Sequence, residues 1–385
     1  MTKTRILSVV GARPNFMKMA PILRELAKHA DFDSYLVHTG QHYDDTMSQV
    51  FFRDLGMRQA DFNLNVGSAT HAVQTAECMT RFEEVCCSAK PDLVIVAGDV
   101  NSTLACSLTA AKLNIPVAHV ESGLRSFDRS MPEELNRIVT DSVSDLLFTT
   151  EDSGTQNLRR EGVPEEKIHF VGNTMIDSLV QCYEVLKQKP LDGVLANLES
   201  RAYFLATIHR PANVDDPAQL AQVIEILSSA SELAPLFFVS HPRTRERLQR
   251  VKSAHRLIEL NDSLERLELG CIYLLPPLPY SDFLRLMASS KAVLTDSGGV
   301  QEETTYLGIP CLTLRENTER PVTVEMGNNQ IVGLDHRRIF TSLCRIMENT
   351  WPTTSIPPLW DGRAAERIVE SLQASRPLLP NRTLI

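Results

Sequence analysis

The sequence predicts an α/β protein of two halves, each built on a doubly wound parallel sheet. Short apolar runs alternate with segments whose apolar residues recur at helical spacing, the pattern of βαβ crossovers. The alternation runs through residue 172, gives way to a helix and a polar connection over about 173–200, and restarts at Tyr203. Polar and glycine residues gather at the carboxyl ends of the predicted strands, where such sheets bind ligands.

In the first half, Arg5–Val10 reads as a strand, and Gly11-Ala12-Arg13-Pro14 turns into a helix carrying Phe16, Met19, Ile22, Leu23 and Leu26. Asp33–Thr39 is a second strand, ending at Gly40-Gln41-His42. A helix over Val73–Val85 leads to the strand Pro91–Ala97, which ends at Gly98-Asp99. The Ala- and Leu-rich helix Asn101–Leu113, the strand Ile115–Glu121, a helix containing Leu135, Ile138, Val139 and Val143, and the strand Asp145–Thr150 follow. In the second half the expected strands are Tyr203–Ile208, Leu236–Ser240, Ile272–Leu275, Ala292–Thr295 and Cys311–Leu314. Helices are expected over Leu220–Leu233, Phe283–Ser289 and through Tyr306. The domains expected are 1–172 and 173–362, with a C-terminal helix over about 363–375 packing back on the first.

With 385 residues, 43% hydrophobic and 23% charged, the chain is long enough for two domains. A net charge of -9 argues against nucleic acid or an anionic membrane as partner, so an anionic ligand needs local positive groups. Eight scattered cysteines without Cys-x-x-Cys or zinc spacing read as reduced thiols, with no metal site. No apolar run reaches the roughly 20 residues that span a bilayer, and no signal peptide is expected, since Leu7–Val10 is too short for one and runs into Arg13. A cytoplasmic protein is expected.

The stretch His119–Arg137 carries the chemistry: an apolar strand ends in Glu121, and the following loop and helix bring Arg125, Asp128, Arg129, Glu133 and Arg137. A core has no need of so many ionisable groups at one strand end, whereas proton transfer beside an anion does. Asp99 alternatively caps the next helix, in competition with Asn101. Glu133 alternatively completes a capping box with Ser130 or pairs with Arg137. Ser297-Gly298-Gly299, between a strand and a helix, suits a phosphate; its alternative is a plain tight turn. Glu303, one turn on, could accept ribose hydroxyls or be a surface carboxylate. Arg13 and Lys18 offer charge to a diphosphate, although Lys18 also fits a solvated helix face. His209-Arg210 and His241 end strands where a phosphate contact or an acid is favoured over a core histidine. Neither Gly-x-Gly-x-x-Gly nor Gly-x-x-x-x-Gly-Lys-Ser/Thr occurs, which argues against a dinucleotide cofactor and NTP hydrolysis.

Gly11-Ala-Arg-Pro with Lys18-Met-Ala-Pro, Gly98-Asp99, His119-Val-Glu-Ser-Gly-Leu-Arg125, Pro132-Glu-Glu-Leu-Asn-Arg137, Gly172-Asn173, His209-Arg210, Thr295-Asp-Ser-Gly-Gly-Val-Gln-Glu-Glu303 and Thr318-Glu-Arg-Pro321 run nearly end to end. With them the chain resembles the non-hydrolysing UDP-N-acetylglucosamine 2-epimerases. The resemblance implies two Rossmann-like domains facing across a cleft, as in glycosyltransferase-B folds, a homodimer, and no cofactor. It implies reversible inversion of UDP-GlcNAc to UDP-ManNAc through 2-acetamidoglucal, for polysaccharide precursor synthesis. By motif, Asp99, Glu121 and Glu133 would be acid/base carboxylates, and His209 would assist the departing diphosphate. Arg13, Ser297, Gly298, Gly299, Glu303 and Arg320 would hold UDP; Phe283 would lie near the uracil, and Lys18 and Arg137 would shape the cleft. The chemistry agrees: no carbonyl acidifies the C2 hydrogen, so its removal needs concurrent loss of the C1 diphosphate, and transient oxidation would need a nicotinamide.

Three positions depart from the family pattern: Val322 after Pro321, Tyr43-Asp44 after His42, and the loop His209–Asp216. Relatives with similar loops act on other UDP-2-acetamido sugars, including diacetamido uronic acids. A hydrolysing epimerase, a glycosyltransferase of the same architecture and a non-catalytic sugar-nucleotide binder are the competing readings.

Overall fold

The computed structural model describes residues 3–40, 55–187, 201–240, 242–248, 256–260, 267–352 and 355–375. The chain forms two compact units, residues 1–181 with 358–385, and residues 182–357.

In the first unit the strands are β1 (Thr4–Val10), β2 (Phe32–His38), β3 (Phe62–Asn63), β4 (Leu93–Ala97), β5 (Val117–Val120), β6 (Leu146–Thr149) and β7 (Ile168–Phe170). They lie in the order β3-β2-β1-β4-β5-β6-β7 and every pairing is parallel. The order reverses between β1 and β4, which creates the crevice where a doubly wound sheet takes its ligand. β4, β5 and β6 are buried along their whole length, so their apolar runs do not alternate. The helices are α1 (Arg13–Leu26), α2 (His71–Ala89), α3 (Asn101–Lys112), α4 (Pro132–Val143), α5 (Asp152–Arg160) and α6 (Thr174–Leu186), which belongs to this unit as far as Gln181.

In the second unit the strands are β8 (Phe204–Thr207), β9 (Leu236–Val239), β10 (Arg256–Glu259), β11 (Cys271–Leu275), β12 (Ala292–Thr295), β13 (Cys311–Thr313) and β14 (Asn329–Ile331). Their order is β10-β11-β9-β8-β12-β13-β14, again all parallel, and it reverses between β8 and β12. The helices are α7 (Pro211–Val214), α8 (Pro217–Ser231), α9 (Pro242–Leu248), α10 (Tyr280–Ala288), α11 (Gly298–Leu307), α12 (Val322–Glu325) and α13 (His336–Met347). One apolar core joins Phe204, Phe238 and Leu294 on the sheet to Val223 and Leu227 of α8 and Leu343 of α13. A last helix, α14 (Ala364–Ser375), returns to the first unit. There Asp177 of α6 accepts hydrogen bonds from Ala364 N and Ala365 N, at 3.1 and 2.7 Å, and so caps the helix. No described helix is long and apolar enough to cross a membrane.

Candidate active site

The first unit gathers its polar groups at the β1/β4 switch point. Gly11 follows β1 because a Cβ there would lie 2.1 Å from Ser102 Oγ and 2.7 Å from Thr39 Oγ1. Asn15, in the first turn of α1, accepts from Ala12 N at 2.9 Å and donates to Ala97 O at 2.6 Å, tying the helix start to the end of β4. Lys18 lies one turn further along and is buried, not on a solvated face. Its ammonium forms an ion pair with Glu121, and both side chains are at most 5% exposed.

Glu121 follows β5 with φ +69°, a left-handed conformation uncommon for a residue with a side chain. The backbone holds it there: Glu121 N and Ser122 N both donate to Phe148 O, at 3.1 and 3.0 Å. Strain of this kind persists only where surrounding structure enforces it, and it collects at functional sites. His119, two residues earlier and fully buried, bridges Gly98 O, 2.8 Å from its Nε2, and Asp141 Oδ1, 2.6 Å from its Nδ1. Asp141 also accepts from Gly123 N at 3.0 Å and pairs with Arg125 at 2.7 Å. Burial raises the Asp141 carboxyl, but His119 and Arg125 outweigh it and bring it below its ordinary value. Arg125 therefore braces the loop from inside, and a further pair with Glu161 completes its fork.

Asp99 does not cap the following helix, whose N-cap is Val100 with no side-chain bond. Its carboxylate pairs with Arg137 instead, and its carbonyl accepts from Asn136 at 2.8 Å. Glu133 does not complete a capping box either: the N-cap of α4 is Met131, and Ser130 Oγ donates to Asp128 at 2.6 Å. Arg137 turns to Asp99 and Glu134, leaving Glu133 exposed and, among the described residues, without a hydrogen bond or ion pair. Its neighbour Glu134 is the inward carboxylate, accepting from Ser126 N at 2.9 Å, Phe127 N at 3.0 Å and Arg137 Nη2 at 2.8 Å. Burial raises the Glu134 carboxyl, and the Ser126 amide and Arg137 pull it below its ordinary value.

In the second unit the polar groups gather at the β8/β12 switch point. Asp296, after β12 and fully buried, accepts from His209 N at 3.1 Å, Arg210 N at 2.9 Å and Asn213 Nδ2 at 3.0 Å. This carboxylate holds the turn after β8. The His209 ring is 52% exposed, so it is not a core histidine, and its Nδ1 stands 3.4 Å from Asp296 Oδ1. Ser297 is the N-cap of α11 but makes no side-chain cap, which leaves its hydroxyl uncommitted to the helix. Gly298 and Gly299 open α11. A Cβ on Gly298 would lie 2.6 Å from Arg320 Nη1, so only glycine lets this guanidinium lie against the helix start. Arg320 is buried between Glu302, 2.7 Å from its Nε, and Glu319, 2.8 Å from its Nη1.

Glu303 is buried, not a surface carboxylate, and accepts from Tyr280 Oη at 2.8 Å. Burial pushes its carboxyl up; the Tyr280 hydrogen bond opposes this and Glu302 adds to it, giving about 8. Phe283 is half-buried on the first turn of α10. Arg13 is the first residue of α1. His241, Gln41 and His42 lie outside the described residues.

Nothing in the sequence alone marks Asn15, Asp141, Glu134, Arg315 or Glu319 as part of the site. Glu134 and Glu319 stand inside the motifs Pro132–Arg137 and Thr318–Pro321; Glu133 and Glu134 are adjacent, and nothing in the sequence says which of the two turns inward. Asp141 is four residues beyond Arg137 on α4, and this helical spacing is the available signal.

A family profile described as UDP-N-acetylglucosamine 2-epimerase matches residues 24–373. The chain is 41% identical over 373 residues to UDP-N-acetylglucosamine 2-epimerase of Methanocaldococcus jannaschii, covering 94% of this chain and 97% of that one. It is 37% identical over 376 residues to UDP-2,3-diacetamido-2,3-dideoxy-D-glucuronate 2-epimerase of Pseudomonas aeruginosa, covering 96% and 99%. The crystal structure of the Methanocaldococcus jannaschii protein in complex with UDP-GlcNAc and UDP superposes with a TM-score of 0.85 at 40% identity, covering 96% of this chain and 100% of that one.

Proposed function

We infer, from the premise that this chain belongs to the UDP-N-acetylglucosamine 2-epimerase family, that it interconverts UDP-GlcNAc and UDP-ManNAc. The observation that carries this reading is Glu121, buried, held in a left-handed backbone at a strand end and paired with Lys18. A carboxylate fixed in this way can take a proton from carbon without first reorganising.

The proposed sequence begins with removal of the C2 proton. The C–H electron pair forms the C1–C2 double bond while the C1–O bond breaks, and UDP leaves with that bond's electrons. The product of this half-reaction is 2-acetamidoglucal. UDP then adds back at C1 as a proton is delivered to the opposite face of C2. We assign the proton transfers to Asp99, Glu121 and Glu133. Each positioned acid or base contributes about 10² to 10⁴ in rate, and stabilisation of the leaving diphosphate supplies much of the rest. For that we assign His209, Arg210, Ser297, Gly298, Gly299 and Arg320, with Glu303 on the ribose and Phe283 near the uracil. Arg13, Lys18, Arg137 and His241 complete the proposed substrate contacts.

The relative from Pseudomonas aeruginosa favours a second reading for substrate, a UDP-2,3-diacetamido uronic acid. Proton NMR of the purified protein with each sugar nucleotide separates the two. The first reading expects UDP-ManNAc from UDP-GlcNAc without free ManNAc. Turnover of the diacetamido uronic acid alone would replace it, and release of free sugar with UDP would make the chain a hydrolase. We further propose that it acts as a cytoplasmic homodimer supplying polysaccharide precursors; light scattering giving a monomer mass would remove the dimer.

A further inference from the structure

Beside Gly298, three guanidinium groups of the second unit converge on one carboxylate. Glu319 Oε1 lies 2.8 Å from Arg320 Nη1 and 3.4 Å from Arg210 Nη2, while Oε2 lies 2.8 Å from Arg315 Nη2. Arg210, Asp296 and Arg315 follow the adjacent strands β8, β12 and β13, so the cluster sits at the switch point. Glu319 is 3% exposed, and Arg315 and Arg320 are also buried. A Cβ on Gly298 would meet Glu319 Oε1 at 3.0 Å, which places the carboxylate against the start of α11 beside Arg320. The buried Nη1 of Arg315 has no hydrogen-bond acceptor among the described residues, so the cluster keeps a donor in reserve.

A carboxylate in the middle of an anion site repels the anion, so charge alone does not explain its place. Geometry does. An arginine fork is useful to a diphosphate only when its plane is fixed, and a carboxylate shared by three forks fixes all of them. Donors aligned beforehand need no reorganisation when the leaving group develops charge. Burial raises the Glu319 carboxyl, but Arg320, Arg315 and Arg210 together hold it well below the usual carboxylate range, so it stays an acceptor.

We propose that Glu319 is a positioning residue that aligns Arg210, Arg315 and Arg320 to receive the diphosphate. The proposal rests on the reading of this unit as the UDP site.

Calorimetry of the full chain with UDP and with uridine tests it. Removing a negative charge from an anion site should by charge alone tighten UDP binding. Positioning gives the opposite sign: Glu319→Gln should weaken UDP on the order of tenfold and leave uridine, which has no phosphate, unchanged. UDP binding that is equal or tighter overturns the proposal, as does an equal fall for uridine, which would mark general damage. If Glu319→Gln does not fold, Arg315→Lys serves instead: it keeps the charge but loses the planar fork, and undiminished UDP affinity overturns the proposal. Failure of the unaltered protein to bind UDP would sink the reading of the site itself, a result distinct from the others.

Discussion

Replacing Lys18 with methionine should damage the first unit in a way its partner can repair. Lys18 and Glu121 pair with side chains 5% and 4% exposed, so each desolvated charge depends on the other. Removing the ammonium leaves a buried carboxylate without that charge, which typically costs about 3–5 kcal/mol. At roughly 2–4 °C per kcal/mol for a unit of this size, Tm should fall by about 6–20 °C. Methionine fills similar volume, so little of the loss comes from packing. Glu121→Gln on top of Lys18→Met removes the buried negative charge, and the double variant should regain most of the lost Tm. Turnover should not return, because the proposed base is gone. Calorimetric scans of both variants, with UDP-GlcNAc turnover measured on each, make the comparison. A Tm unchanged by Lys18→Met, or a double variant no better than the single, would refute the dependence of the pair on mutual charge.

Gly298→Ala should weaken UDP on the order of tenfold, because the added Cβ would stand 2.6 Å from Arg320 Nη1 and displace it; isothermal titration measures this, and unchanged affinity would remove Arg320 from the site. Glu303, pushed up to about 8 by burial, binds its proton more tightly folded than unfolded. Its contribution to stability is therefore complete below its ordinary value of 4.5 and is lost as pH climbs through about 8. Glu303→Gln should flatten that part of the slope in urea unfolding across this range, and an unaltered slope would contradict the burial argument. Glu133→Gln should lower turnover by about 10² while leaving Tm within a degree or so, since its side chain is exposed. A normal rate in that variant would remove Glu133 from catalysis.

The sheets are legible in the sequence where they are buried. β4, β5, β8 and β12 each read as short apolar runs, and the groups at their carboxyl ends mark both switch points. Among the described residues, four strands are not expected from the sequence, β3, β7, β10 and β14, and these are the four edges of the two sheets. An edge strand covers less core, so Ile168–Phe170 and Arg256–Glu259 keep half-exposed side chains and show no apolar run. Helix α13 is a different case: Ile339, Leu343 and Ile346 recur at helical spacing, yet without neighbouring signals the segment goes unassigned.

At the site, motifs give positions and leave orientation unstated. Pro132-Glu133-Glu134 holds two carboxylates one residue apart, about 100° around a helix. One turns in to Ser126, Phe127 and Arg137, and the other faces solvent. Only the docking of α4 on the sheet decides which. The left-handed backbone of Glu121 and the bridging of Gly98 by His119 are likewise tertiary, because each depends on a neighbouring strand.

Epimerisation of UDP-GlcNAc in D2O tests the proposed proton transfer most directly. If a carboxylate takes the C2 proton and solvent supplies its replacement, product UDP-ManNAc should carry deuterium at C2. Glu121→Gln should slow both exchange and turnover by about 10² or more, with UDP affinity retained. Product that keeps a full complement of protium at C2 would contradict solvent-exchanging proton transfer, and near-normal exchange in Glu121→Gln would contradict its assignment as the base.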